Sequence, residues 1–104
     1  MVKPINKLVR DNIPEICKAN GKNPKIKILD DAEYTLELQK KLEEEVAEYL
    51  SSKEIEELAD ILEVVEALAE SQGASMEEIM HIKHRKQTKN GAFKSKVFLI
   101  QAED

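Results

Sequence analysis

The chain has one cysteine, Cys17, so no internal disulfide can form. Its ordinary role is that of a small, partly covered apolar residue rather than a nucleophile. Tryptophan is absent and aromatic residues make up 4% of the chain, a poverty that suits a helical, Glu/Lys-rich protein. No apolar run is long enough to span a membrane, and the N-terminus lacks the hydrophobic segment of a signal peptide, which makes the cytoplasm the expected location. There is no P-loop, no Rossmann glycine pattern and no Cys/His set with zinc spacing. What the chain has is charge: 36% of its 104 residues are charged, with a net charge of -5. That balance argues against nonspecific binding to nucleic acid. The length implies a single domain, residues 1–104, with a modest core.

The stretch Lys41 to Leu68, KLEEEVAEYLSSKEIEELADILEVVEAL, organises the rest. It carries two amphipathic helical patterns, broken near Ser51-Ser52-Lys53. Residues three and four apart share a helix face. In the first helix Leu38, Leu42, Val46 and Tyr49 form the apolar stripe, with Glu45 inside it and Glu48 on its flank. In the second, Leu58, Ile61, Leu62, Val65 and Leu68 form the stripe, with Glu57 directed inward and Asp60 on the flank. An i, i+3 acidic pair therefore occurs once on each helix. Carboxylates in an apolar stripe are costly unless paired or bound to a cation. A hard divalent cation with oxygen ligands resolves that cost, and Mg²⁺ is the usual one where phosphates are bound, with Mn²⁺ as an alternative. The competing reading is of solvated carboxylates on Glu-rich helices. Two inward pairs on consecutive helices favour the metal site.

Around this hairpin, Met1 to Asn6 is expected to be extended, because Pro4 disfavours helix before it. Pro14 either breaks a helix over Lys7 to Asn20 or starts a helical turn, and Gly21 stops it. Lys25 to Leu29 (KIKIL) alternates and reads as a short strand. Asp30 or Asp31 caps the first long helix, which runs to about Leu50. The second runs from about Lys53 to Ser71, with Ser51 or Ser52 as its cap and Gln72-Gly73 as its stop. Ser75 caps a third helix whose Met76, Ile79, Met80 and Ile82 are expected in the core and whose second half is basic. After the Asn90-Gly91 turn, Lys96 to Gln101 reads as a final strand that pairs with Lys25 to Leu29. The acids concentrate in the middle of the chain and the bases toward its ends. An acidic metal centre with basic borders suits a metal-bound polyphosphate, although exposed faces often carry such a pattern. Lys41 lies four residues before Glu45, so it either pairs with the carboxylates or reaches a phosphate. Lys83, Arg85 and Lys86 either contact phosphate or complement a helix C-terminus.

EEVAE (Glu44 to Glu48) followed by ELAD (Glu57 to Asp60) resembles the EExxE…ExxD motif of the MazG-like nucleoside triphosphate pyrophosphohydrolases. These belong to the all-α NTP pyrophosphatase superfamily, with phosphoribosyl-ATP pyrophosphohydrolase as a relative. The flanks, KLVRDNIPEI (Lys7 to Ile16) and NGAFKSKVFL (Asn90 to Leu99), look like one small branch of it, so the resemblance covers nearly the whole chain. It implies a mainly α fold, a helical-hairpin bundle with a small β element from the N-terminal region and the C-terminus. It implies Mg²⁺ on Glu45, Glu48, Glu57 and Asp60, and cleavage of an NTP to the monophosphate and pyrophosphate. It also raises Lys7 and Arg10 to phosphate or intersubunit contacts, beside a reading as surface charge. Gly91 and Phe93 would lie near the nucleotide, or Phe93 would simply pack. Glu44, adjacent to the ligand face, either orients a ligand or accepts a proton from water. Homodimers or homotetramers are implied, since a lone hairpin leaves Ile55, Val64, Val65, Leu68 and Ala69 wanting cover. The alternative functions are a non-catalytic helical dimerisation module and a nucleotide-sensing protein that keeps the site without turnover.

Overall fold

Asp30 starts the central hairpin with a capping box. Its carboxylate accepts from the Glu33 N–H at 2.8 Å, and the Glu33 side chain accepts from the Asp30 N–H at 3.4 Å. Two of the donors that every helix start leaves unpaired are thereby used, and Asp31 and Glu33 complement the helix dipole. In this computed structural model, which describes residues 3–104, the chain has four helices. They are α1 (Ile13–Ala19), α2 (Asp31–Ser52), α3 (Ile55–Ser71) and α4 (Met76–Asn90). Of the expected extended Met1–Asn6 stretch, residues 1 and 2 lie outside those described, and residues 3–6 are neither helix nor strand.

The breaks fall where the sequence places them, by slightly different chemistry. Lys53 closes α2 in the left-handed region at φ 59, and its N–H returns to the Tyr49 carbonyl at 2.7 Å. Ser52 does not cap α3 as expected. Its hydroxyl accepts from the Glu54 N–H at 3.2 Å, and Glu54 takes the cap position without a side-chain bond. α1 begins at Ile13 with Pro14 in its first turn rather than being broken by it, because a first-turn proline has no needed N–H to lose. α1 and α3 end in the same motif. The Gly21 and Gly73 N–H groups bond back to Lys18 and Glu70, and the Lys22 and Ala74 N–H groups to Cys17 and Ala69. This closure needs a left-handed residue, supplied by Gly21 at φ 76 and Gly73 at φ 80. Ser75 caps α4 as expected, accepting from the Glu78 N–H at 3.1 Å.

α2 and α3 pack as an antiparallel pair, and α4 leans on α3. The core is small: Leu38, Val64 and Ala69 are buried, and Glu45 joins them as a buried charged residue. Val64 and Ala69 therefore need no outside partner, contrary to expectation. Ile55 is uncovered as expected, and Leu58 and Leu62 on α3 with Val46 and Leu50 on α2 join it. α4 buries no residue, and Met80 and Ile82, expected in the core, are exposed. A helix with one neighbour has only one narrow face to bury.

The expected β element does not form. Among the described residues there is no strand: Lys25 to Leu29 and Lys96 to Gln101 are irregular. A strand exists only through a partner for its N–H and C=O groups, and two short strands alone are marginal in water. The accessible surface of the chain is 9692 Å², against about 5,900 Å² for a compact monomer of its mass. Its radius of gyration is 18.4 Å, against about 13 Å for a compact domain of this length. The molecule extends 62 × 32 × 24 Å. No described helix is long and apolar enough to cross a membrane.

Candidate metal centre

α2 and α3 each turn one acid inward where they cross near the hairpin turn. Glu45 lies on the buried face of α2, one turn after Leu42, and is itself buried. Glu57 and Asp60 stand in the first half of α3, both partly covered. One carboxylate oxygen from each of Glu45, Glu57 and Asp60 lies within 4.8 Å of the others. Glu48 is exposed at the edge of this group, and its charge acts on both Glu45 and Glu57. Glu45 Oε2 and Glu57 Oε2 are buried without any hydrogen-bond partner. Such an oxygen ordinarily costs on the order of 1–3 kcal/mol when left unpaired.

The electrostatics follow from that crowding. Burial, followed by the charge of Glu48, pushes the Glu45 carboxyl above its usual range, and Lys41 only partly offsets this. Glu57 is pushed upward by desolvation and then by Glu48 and Asp60. Glu44 goes the other way, because the Lys7 ammonium donates a hydrogen bond to it and favours its ionised form. The Lys7 ammonium is correspondingly raised.

The structure brings the N-terminal cations to the acidic motif. Lys7 Nζ lies 2.9 Å from Glu44 Oε1, and Arg10 Nη2 lies 2.7 Å from Asp60 Oδ1, with Arg10 Nη1 3.7 Å from Glu63. Lys41 lies 3.5 Å from Glu44 and 3.7 Å from Glu45. Of the two roles open to Lys41, pairing with the carboxylates is thus the one realised in this state. The pairing of Arg10 with Asp60 spans fifty positions and left no local trace in the sequence. Lys83 and Lys86 are exposed on α4, and among the described residues neither forms an ion pair. Lys86 lines a surface depression with Ile82, Arg85 and Lys89. Phe93, beside the Gly91 turn, is fully exposed and packs on nothing.

The raised carboxyls give a stability signature with a definite sign. Glu45 and Glu57 bind protons more tightly folded than unfolded. Their contribution is complete below the unfolded value and is lost as the pH rises through the folded one. Glu44 contributes oppositely, helping above the unfolded value and losing that help as the pH falls through its folded one. In metal-free buffer, Glu45→Gln is therefore expected to gain in melting temperature over the parent chain as the pH goes from about 4.5 to 7. A difference independent of pH across that window would mean that the Glu45 carboxyl is solvated.

Comparison with known proteins adds one short relationship. Over 41 residues the chain is 56% identical to an uncharacterised protein of Mycolicibacterium smegmatis, a stretch that covers 39% of this chain and 42% of that protein. The chain thus matches less than half the length of that relative. No protein-family model matches the chain. No solved structure matches it.

Proposed function

We propose that this protein is a Mg²⁺-dependent nucleoside triphosphate pyrophosphohydrolase of the MazG-like, all-α type. In this reading it hydrolyses an NTP or related nucleotide between the α and β phosphates, giving the monophosphate and pyrophosphate. The observation that carries the reading is the convergence of Glu45, Glu57 and Asp60 around two buried carboxylate oxygens with no partner. An all-oxygen, strongly anionic donor set of this kind fits a hard divalent cation. Glu45, Glu57 and Asp60 would hold the ion, and Glu48 would complete the set from the rim. The bound ion would supply charge neutralisation on the polyphosphate and a lowered pKa for the attacking water.

The chain's own residues take the remaining roles. Glu44, held ionised by Lys7 and Lys41, would either orient a ligand or accept a proton from water. Arg10 and Lys41 would exchange Asp60 and Glu45 for phosphate oxygens once those carboxylates hold the cation, while Lys7 would meet phosphate from its place beside Glu44. Arg10 suits this best, since its planar fork matches phosphate as well as carboxylate. Lys83 and Lys86 contribute through a second copy of the chain, because within one chain they pair with no acid. The assembly is a homodimer or homotetramer in which hairpins pack by their uncovered stripes. The resemblance of EEVAE…ELAD to the MazG-like motif names the bond broken; the geometry supports only the cation and phosphate chemistry.

The test is calorimetric titration with Mg²⁺ and nucleotides, followed by a pyrophosphate-release screen over common and damaged NTPs. Metal binding with pyrophosphate release is the expected result. Nucleotide binding without turnover would instead make the protein a sensor, and no binding of either would leave a helical dimerisation module.

A further inference from the structure

Two irregular stretches have no place in the hairpin, and the second begins at Lys96 in the left-handed region at φ 59, so its strand-like run starts at Val97. Residues 96–101 (KVFLIQ) and residues 25–29 (KIKIL) are both irregular and uncovered, Phe98 and Ile28 each being 88% exposed. Successive side chains of an extended segment point to opposite faces. The run Val97-Phe98-Leu99-Ile100 is therefore apolar on both faces, the pattern of a strand covered on both sides. KIKIL puts Ile26 and Ile28 on one face and Lys25 and Lys27, with Leu29, on the other, a lysine-bearing pattern that suits an edge strand. Each is a strand sequence without a ladder.

The surface of the chain shows that a hairpin contact alone does not complete the fold. The surplus over a compact monomer is about 3,800 Å² per copy. An obligate dimer interface covers about 2,000–5,000 Å² in total, so about 1,000–2,500 Å² from each copy. Packing two hairpins by their apolar stripes leaves more than about 1,000 Å² unaccounted for, and the irregular stretches carry the exposed apolar residues that remain.

We propose that these stretches pair between copies: residues 96–101 of one protomer lie antiparallel along residues 25–29 of another, reciprocally about a two-fold axis. The occupant is a second copy because the two stretches are complementary, an apolar run against an edge pattern, yet do not pair within one chain. Charge selects the direction. Antiparallel pairing sets Glu103 and Asp104 beside Lys22 and Lys25, and Lys96 beside Asp30 and Asp31. Parallel pairing would set Lys94 and Lys96 against Lys22 and Lys25. Backbone hydrogen bonds supply the affinity in such strand addition, and the alternating apolar residues set the register. The helices of the hairpins give the two strand pairs a surface to pack on, without which two-stranded ribbons are marginal. The pairing rests on the assembly put forward above but not on any catalytic reading.

The experiment uses two full-length chains, each with Cys17→Ser, one carrying Ile28→Cys and the other Phe98→Cys. They are co-expressed and treated with a short bismaleimide, which tolerates an offset of a residue or two. The expected product is a covalent heterodimer formed in preference to either homodimer. In parallel, deletion of residues 96–104 is expected to weaken association at least about tenfold by light scattering, with helix content unchanged by circular dichroism. A chain carrying both cysteines that crosslinks mainly within itself would overturn the exchange, since the arm would then fold back on its own protomer. So would an assembled full-length chain that gives no heterodimer and is indifferent to the deletion, an outcome that leaves hairpin packing intact. A monomeric full-length chain would remove both.

Discussion

The double substitution Glu45→Gln/Glu57→Gln is expected to lower Mg²⁺-dependent turnover by roughly a hundredfold to a thousandfold while leaving the helices formed. The two residues come from different helices and supply the two buried oxygens that have no partner in the protein. Gln keeps the shape of each side chain but removes the charge a cation needs. Lewis-acid stabilisation is worth several kcal/mol, and each 1.36 kcal/mol is tenfold in rate, which sets the scale. The same variant is expected to melt at a higher temperature than the parent when metal is absent. Its parent holds Glu45, Glu48, Glu57 and Asp60 in mutual repulsion, whereas the variant keeps only the charges of Glu48 and Asp60. Added Mg²⁺ should then stabilise the parent and leave the variant unmoved. The opposing changes in activity and metal-free stability distinguish a metal centre from a merely structural acidic cluster. Full turnover with unchanged metal affinity in the double variant would remove these residues from the site.

On the proposed packing of hairpins, Leu58→Asp/Leu62→Asp is expected to leave the protein monomeric at micromolar concentration in light scattering, where the parent chain associates. Both residues lie on the uncovered face of α3, at 41% and 56% exposure. Ile55 shares that face, and Val46 and Leu50 present the matching stripe on α2. Fully burying a Leu is worth about 1.5–3 kcal/mol. About half of that is already realised within the hairpin, so four such side chains in a dimer leave about 3 kcal/mol or more, roughly a hundredfold in dissociation constant. Introducing charge at the centre of the contact adds to the loss. The substitutions lie outside the buried set Leu38, Val64 and Ala69, so helix content should survive. A variant that stays assembled would move the contact to another face.

What the sequence determined by itself is what depends on a few neighbouring residues. The Asp30 and Ser75 caps, the Gly21 and Gly73 closures and the break at Lys53 each rest on contacts within six positions. The 3.6-residue period placed Glu45 inward for the same reason, since one helix face is fixed by spacing alone. Spacing also put Glu57 and Asp60 on one turn of α3, so all four proposed acidic ligands were named before their helices were brought together, and the fold gathers three of them, Glu45, Glu57 and Asp60.

Only the tertiary structure decided the rest. Which apolar residues were covered depended on how α2 lies against α3. That is why Val64 and Ala69, outside the expected stripe, were buried while Leu58 and Leu62, within it, were left outside. The pairing of Arg10 with Asp60 and of Lys7 with Glu44 likewise required the N-terminal segment to reach the hairpin. The strand patterns at residues 25–29 and 96–101 failed within one chain for a related reason. A helix satisfies its backbone from its own next turn, whereas a strand must find its partner elsewhere, and nothing in the alternation of KIKIL says where that partner is.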